Sequence, residues 1–77
     1  MNRELRQQVG ELLAGVLEIP LQADDNPQRR LLDSWDSLKH MELILSLEET
    51  FNIRFTSQEV AVIESLDDLV RIVEVKV

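Results

Sequence analysis

At 77 residues the chain has room for one small domain, and with no cysteine it lacks disulfides, thiolate metal sites and thiol nucleophiles, so folding rests on apolar packing. Hydrophobic residues at 44%, charged residues at 30% and only two glycines exclude a disordered or low-complexity chain. The net charge of −7 repels phosphate backbones and argues against nucleic acid; six of those seven charges fall from Leu31 onward, where ten carboxylates face four cations.

The opening MNRELRQQVGELL is charged and lacks the apolar core of a secretion signal, and no later stretch is long enough to cross a bilayer. These features point to a cytoplasmic protein without membrane insertion, a single domain over residues 1–77. Leu5, Val9, Leu12, Leu13, Val16 and Leu17 recur at spacings of three and four, predicting an amphipathic helix over about residues 3–18 that Gly10 and Gly15 weaken without breaking. Pro20 ends it, and residues 22–30 have no period and read as a loop.

Leu38, Met41, Ile44, Leu45, Leu47 and Phe51 give the next helix, to about Thr50. Thr56 and Glu59 form a capping box ahead of Val60, Val62 and Ile63, a short third helix, and Ser65 with Asp68 forms a second box that opens a last helix through Leu66, Leu69, Val70, Ile72 and Val73. The alternating VEVKV tail leaves the end of that helix open. No strand pattern is evident, so the expected fold is all-α: a small four-helix bundle of three main helices and a short third one.

LLDSWDSL, residues 31–38, holds Asp-Ser twice around the only tryptophan. Ser37 directly precedes the second helical run, whereas Ser34 lies a turn too early. A helix N-terminus offers free amides and the positive end of the helix dipole, which stabilise an attached phosphate by about 0.3–1 kcal/mol. Taken alone, Ser37 is read as an ordinary N-cap.

Asp36-Ser37-Leu38, then Met41-Glu42-Leu43, Leu47-Glu48-Glu49 and Phe51-Asn52-Ile53-Arg54-Phe55, resembles the acyl carrier proteins, whose hallmark is Asp-Ser-Leu at the start of a long second helix. The likeness runs over residues 35–73 and more loosely over the first helix. It implies that Ser37 accepts 4′-phosphopantetheine from coenzyme A through a phosphopantetheinyl transferase that supplies base and Mg²⁺. The chain would then be a monomeric carrier and not an enzyme, presenting acyl thioesters to acyl-loading, synthase and acyltransferase enzymes of fatty-acid, polyketide or related biosynthesis. Many relatives have a glycine shortly before Asp-Ser-Leu where this chain has Ser34-Trp35, and Lys39 and His40 add basic or titratable character to the second helix. An aminoacyl or peptidyl carrier shares the same handle, and an unmodified acidic helical adaptor for a basic partner is the alternative from another class.

The second helix carries two apolar stripes. Ile44, Leu47 and Phe51 are expected to face the core, leaving Leu38, Met41 and Leu45 as an exposed partner face rimmed by Asp36, Glu42, Glu48 and Glu49 that steers basic docking patches. Without the resemblance, Leu38 and Met41 would be read as core and the glutamates as a solvated face. Ile44, Leu47, Val62, Ile63 and Leu69 are candidate walls of an acyl pocket, though the same residues would serve a solid core. Trp35 is expected to close the top of the bundle rather than anchor a partner. His40, three residues after Ser37, suggests a Ser-His hydrolase with Asp36 as orienter, but the chain shows no oxyanion hole or cleft. Asp24-Asp25 and Asp67-Asp68 lack calcium-loop spacing and read as turn and cap residues, with no metal site.

Overall fold

The computed structural model describes residues 3–22 and 25–77. Four α-helices form: α1 (Arg3–Leu17), α2 (Ser37–Phe51), α3 (Ser57–Val62) and α4 (Leu66–Lys76), with a 3₁₀ turn at Arg29–Leu31 inside the stretch read as loop. The only sheet-like pairing among the described residues is an isolated antiparallel bridge between Gln28 and Ser65. Asp24 lies outside the described residues.

Apolar periodicity places one stripe of each long helix inside. Leu5, Val9, Leu13 and Leu17 of α1 meet Leu43, Ile44 and Leu47 of α2 and Leu66, Leu69, Val70 and Val73 of α4, with Leu12, Val16, Phe51 and Ile72 half-buried at the margins. At Gly10 α1 packs tightly on its neighbours: a Cβ there would stand 3.2 Å from Leu21 Cδ2 and 3.7 Å from Leu66 Cδ2.

The connections after α1 and after α2 each begin with a left-handed residue. Glu18 (φ 57°) ends α1, with Ile19 N–H donating to Ala14 O at 3.1 Å, and Asn52 (φ 55°) ends α2, with Ile53 N–H donating to Glu48 O at 3.1 Å. These are Schellman-type stops, in which glycine is the usual residue because a Cβ crowds the following carbonyl. Glu18→Gly is therefore expected to raise the unfolding free energy by roughly 0.5–1 kcal/mol, the relief of strain exceeding the lost chain entropy. Gly15→Ala, whose new Cβ would meet nothing within 4 Å, should add up to about 1 kcal/mol of helix propensity. Urea denaturation of the two variants checks both.

The loop before α2 is stitched to the start of α4. Leu66 N–H donates to Pro27 O (3.1 Å), Asp67 N–H to Asn26 Oδ1 (2.9 Å), Asp68 N–H to Ser65 Oγ (3.3 Å) and Leu69 N–H to Ser65 O (3.2 Å), so all four first-turn amides of α4 are taken. The expected Ser65–Asp68 box is thus half a box: Asp68 Oδ2 accepts from Glu64 N–H instead. The carboxylate of Asp67 pairs with Arg6, and that of Asp25 accepts from Gln22 N–H at 2.8 Å, so these acids serve turns and ion pairs.

The short α3 starts with the full Thr56–Glu59 box. No residue within it is fully buried, and polar ties hold it in place: Glu59 to Lys76 Nζ at the end of α4 (3.0 Å), and Phe55 N–H to Glu48 Oε2 (2.9 Å). The amide of Thr56 and then Lys76 hold the Glu59 carboxyl below the usual range. The alternating tail continues as helix to Lys76. Among the described residues no helix is long and apolar enough to cross a membrane.

Candidate attachment site at the start of helix α2

Asp36, not Ser37, caps α2. Its extended backbone (φ −87°, ψ −176°) turns the carboxylate onto the first turn, where Oδ1 accepts from Lys39 N–H at 2.8 Å, and its carbonyl accepts from His40 N–H at 2.9 Å. The ordinary reading of Ser37 as N-cap is thereby corrected: with a carboxylate one residue earlier doing that work, Ser37 is the first helical residue and exposed. Among the described residues no partner engages Ser37 Oγ, and no acceptor takes the amides of Ser37 and Leu38. The contrast with α4 is direct, because there the equivalent amides are all closed by protein.

Ser34 sits in the turn closed by Trp35 N–H donating to Leu32 O (3.1 Å) and is half-buried, a poorer place for modification. Asp36→Ala is expected to cost about 1 kcal/mol of stability by orphaning the Lys39 amide. Amide hydrogen exchange should show faster exchange at Lys39, with the interior of α2 unchanged.

The outward stripe of α2 is as expected: Leu38 is 69%, Met41 48% and Leu45 60% exposed. Glu42 and Glu49 are exposed beside it, Glu42 lying 3.5 Å from Lys39 Nζ. Glu48 departs from expectation. Its side chain accepts the Phe55 amide and its carbonyl ends the helix, so it fastens the loop to α3 rather than standing free on the rim.

Of the pocket candidates, Ile44, Leu47, Ile63 and Leu69 are buried together in the core. Val62 is not: it is 56% exposed and lines a shallow groove with Asp68, Arg71 and Ile72, because α3 presents Val62 outward and only its C-terminal neighbour Ile63 turns in. A groove of about 680 Å³ beside α1, lined by Arg3, Arg6, Leu21 and Leu66 among others, includes none of those five residues.

Trp35 is buried, as expected of a residue that closes the bundle; the residues missed in the sequence are His40 and Leu43, which are buried beside it. Trp35 Nε1–H donates to His40 Nδ1 at 2.9 Å, so the ring proton is assigned to Nε2, which donates to Val60 O at 2.9 Å. With both nitrogens committed, His40 has none to offer Ser37 as a base. Burial pushes its pKa below 6.5; the Val60 bond opposes that, Arg29 adds to it and Glu64 opposes it. The available signal was spacing, since His40, Leu43, Ile44 and Leu47 continue one buried stripe.

A protein-family model described as phosphopantetheine attachment site matches residues 7–73. No curated protein and no solved structure matches the chain. Domains of that family are non-catalytic carriers that hold a covalently attached 4′-phosphopantetheine. With an all-α four-helix fold and a match over most of its length, this chain belongs to the phosphopantetheine attachment site family.

Proposed function

We propose that Ser37 is the residue that receives the 4′-phosphopantetheine, and that the protein is an acyl carrier for fatty-acid, polyketide or related synthesis. The observation that carries the first part is the exposed, unpartnered hydroxyl at the first position of α2, beside the open amides of Ser37 and Leu38. The residues present fit the group. A phosphodiester at Ser37 would meet the positive end of the helix and two free donors, and no packed side chain has to move to admit it.

In the modification, Ser37 Oγ bonds to the phosphorus bearing the pantetheine of coenzyme A, the pyrophosphate P–O bond breaks, adenosine bisphosphate leaves, and the hydroxyl proton passes to a base of the transferase. Once attached, the group supplies a terminal thiol that carries cargo as a thioester. The remaining work of this chain is display. Asp36 and the Trp35 segment set the serine at the mouth of α2, and a flexible arm on a compact bundle holds cargo near a docked enzyme at an effective concentration of about millimolar. Leu38, Met41 and Leu45 form the docking face, with Asp36, Glu42 and Glu49 on its rim. Carriers of this kind work with a phosphopantetheinyl transferase and biosynthetic enzymes; the acidic rim favours those with basic docking patches.

The test is the intact mass of the protein from its native cell, before and after hydroxylamine cleavage of thioesters. An arm bearing a fatty or polyketide acyl group is the expected result. An arm bearing an amino acid or peptide would overturn the acyl reading, and a bare chain would favour an unmodified adaptor.

A further inference from the structure

The buried group around His40 is placed to act on the attachment serine without touching it. Trp35, the only tryptophan, stands two residues before Ser37, and its side chain and that of His40 are 2% and 3% exposed. The imidazole is a two-sided clasp: it accepts the indole N–H from the segment leading into α2 and donates to the Val60 carbonyl of α3. On one side it fixes the path by which the chain enters α2; on the other it fastens a helix that buries no residue fully.

Only the neutral ring can do both. A second proton on Nδ1 would face the indole N–H, two donors with no acceptor between them, in a site closed to water. The charged groups around the ring are Arg29, from the 3₁₀ turn, which opposes protonation, and Glu64, from the connection between α3 and α4, which favours it.

We propose that Trp35 and His40 are positioning residues for Ser37: the bond between them, made only while the imidazole is neutral, holds the entry into α2 in the form a transferase can use, and one proton releases it. This rests on Ser37 being the attachment residue. The released segment would be competent for only part of the time, which raises the apparent KM for the carrier and leaves kcat little changed.

Because the folded state keeps the ring from protonating at its ordinary pKa, the unfolded chain takes up the proton first as pH falls. Stability owed to the neutral clasp is complete above 6.5 and erodes below it.

The experiment has two arms. In the first, the fluorescence of Trp35 is titrated from about pH 7.5 to about pH 5, a range that brackets histidine protonation. A one-proton transition with a midpoint below 6.5, absent in His40→Gln, is expected. A flat signal from folded protein, or the same transition in His40→Gln, overturns the proposal.

In the second arm, coenzyme A-dependent modification by one transferase is followed across the same range. The glutamine amide presents an acceptor and a donor about as far apart as the two ring nitrogens but does not titrate. His40→Ala should raise KM at neutral pH by at least about 5-fold, and His40→Gln should restore it. The wild-type to His40→Gln ratio of kcat/KM should then fall with pH, the enzyme's own pH dependence cancelling in the ratio. Trp35→Phe keeps a ring in the core and removes the donor, so it should raise KM at neutral pH even if the His40 variants fold poorly. A wild-type KM in Trp35→Phe, or a ratio flat with pH, overturns the positioning role while leaving the attachment reading intact. Modification that survives Ser37→Ala overturns the attachment reading itself, and the positioning role with it.

Discussion

Leu47→Ala is expected to lower the unfolding free energy by about 2–5 kcal/mol, the loss typical of a fully buried leucine whose cavity cannot close. Leu47 has no exposed surface and lies in the core that joins all the long helices. A chain of 77 residues has a total stability of only about 4–11 kcal/mol at ordinary per-residue values. No cysteine is present to add a covalent link. The variant should therefore lose a large fraction of its stability, with a Tm fall of about 4–8 °C for each kcal/mol. Val62→Ala provides the contrast, since a half-exposed side chain should change stability by no more than about 0.5 kcal/mol. Thermal unfolding followed by circular dichroism separates them. Equal losses at both positions would mean that α3 turns Val62 inward after all.

The opposite separation is expected on the outer face of α2. Leu38→Glu combined with Met41→Glu should leave Tm nearly unchanged, because both side chains already stand in water. The same variant should reduce kcat/KM for modification by about 30-fold. An apolar anchor at the centre of a docking surface is worth about 2 kcal/mol or more, and about 1.4 kcal/mol is tenfold in rate. The measurement is steady-state transferase kinetics at fixed ionic strength beside thermal unfolding of the same sample. Loss of fold with loss of rate would return these residues to the core; retention of rate would remove the face from the docking reaction. Glu48→Gln gives an internal control, since Glu48 holds the Phe55 amide: its effect should fall on stability more than on docking.

The helices were legible because their evidence is local. A period of three and four residues, Pro20 after α1 and the Thr56–Glu59 pair state where a helix runs without reference to the rest of the chain. The exposed stripe of α2 was legible for the same reason, although periodicity alone gives two stripes and only the partners in space decide between them. Distant partners account for what was missed. His40 is inside because Trp35 and the Val60 carbonyl, twenty residues on, satisfy both ring nitrogens; its spacing to Leu43, Ile44 and Leu47 marks the face but not those partners. Glu48 left the acidic rim because the chain folds back to bring the Phe55 amide to it. The 3₁₀ turn and the pairing of Gln28 with Ser65 depend on α4 lying against the loop. The start of α2 was read to within one residue, and the difference matters: with Asp36 as the cap, the Ser37 hydroxyl has no structural duty.

The most direct measurement is to incubate the protein with coenzyme A and a promiscuous phosphopantetheinyl transferase, digest it and locate the added mass by fragmentation. The expected result is one phosphopantetheine, on Ser37 alone, and no gain in Ser37→Ala. An unmodified chain, or an arm on Ser34 or any other hydroxyl, would contradict it.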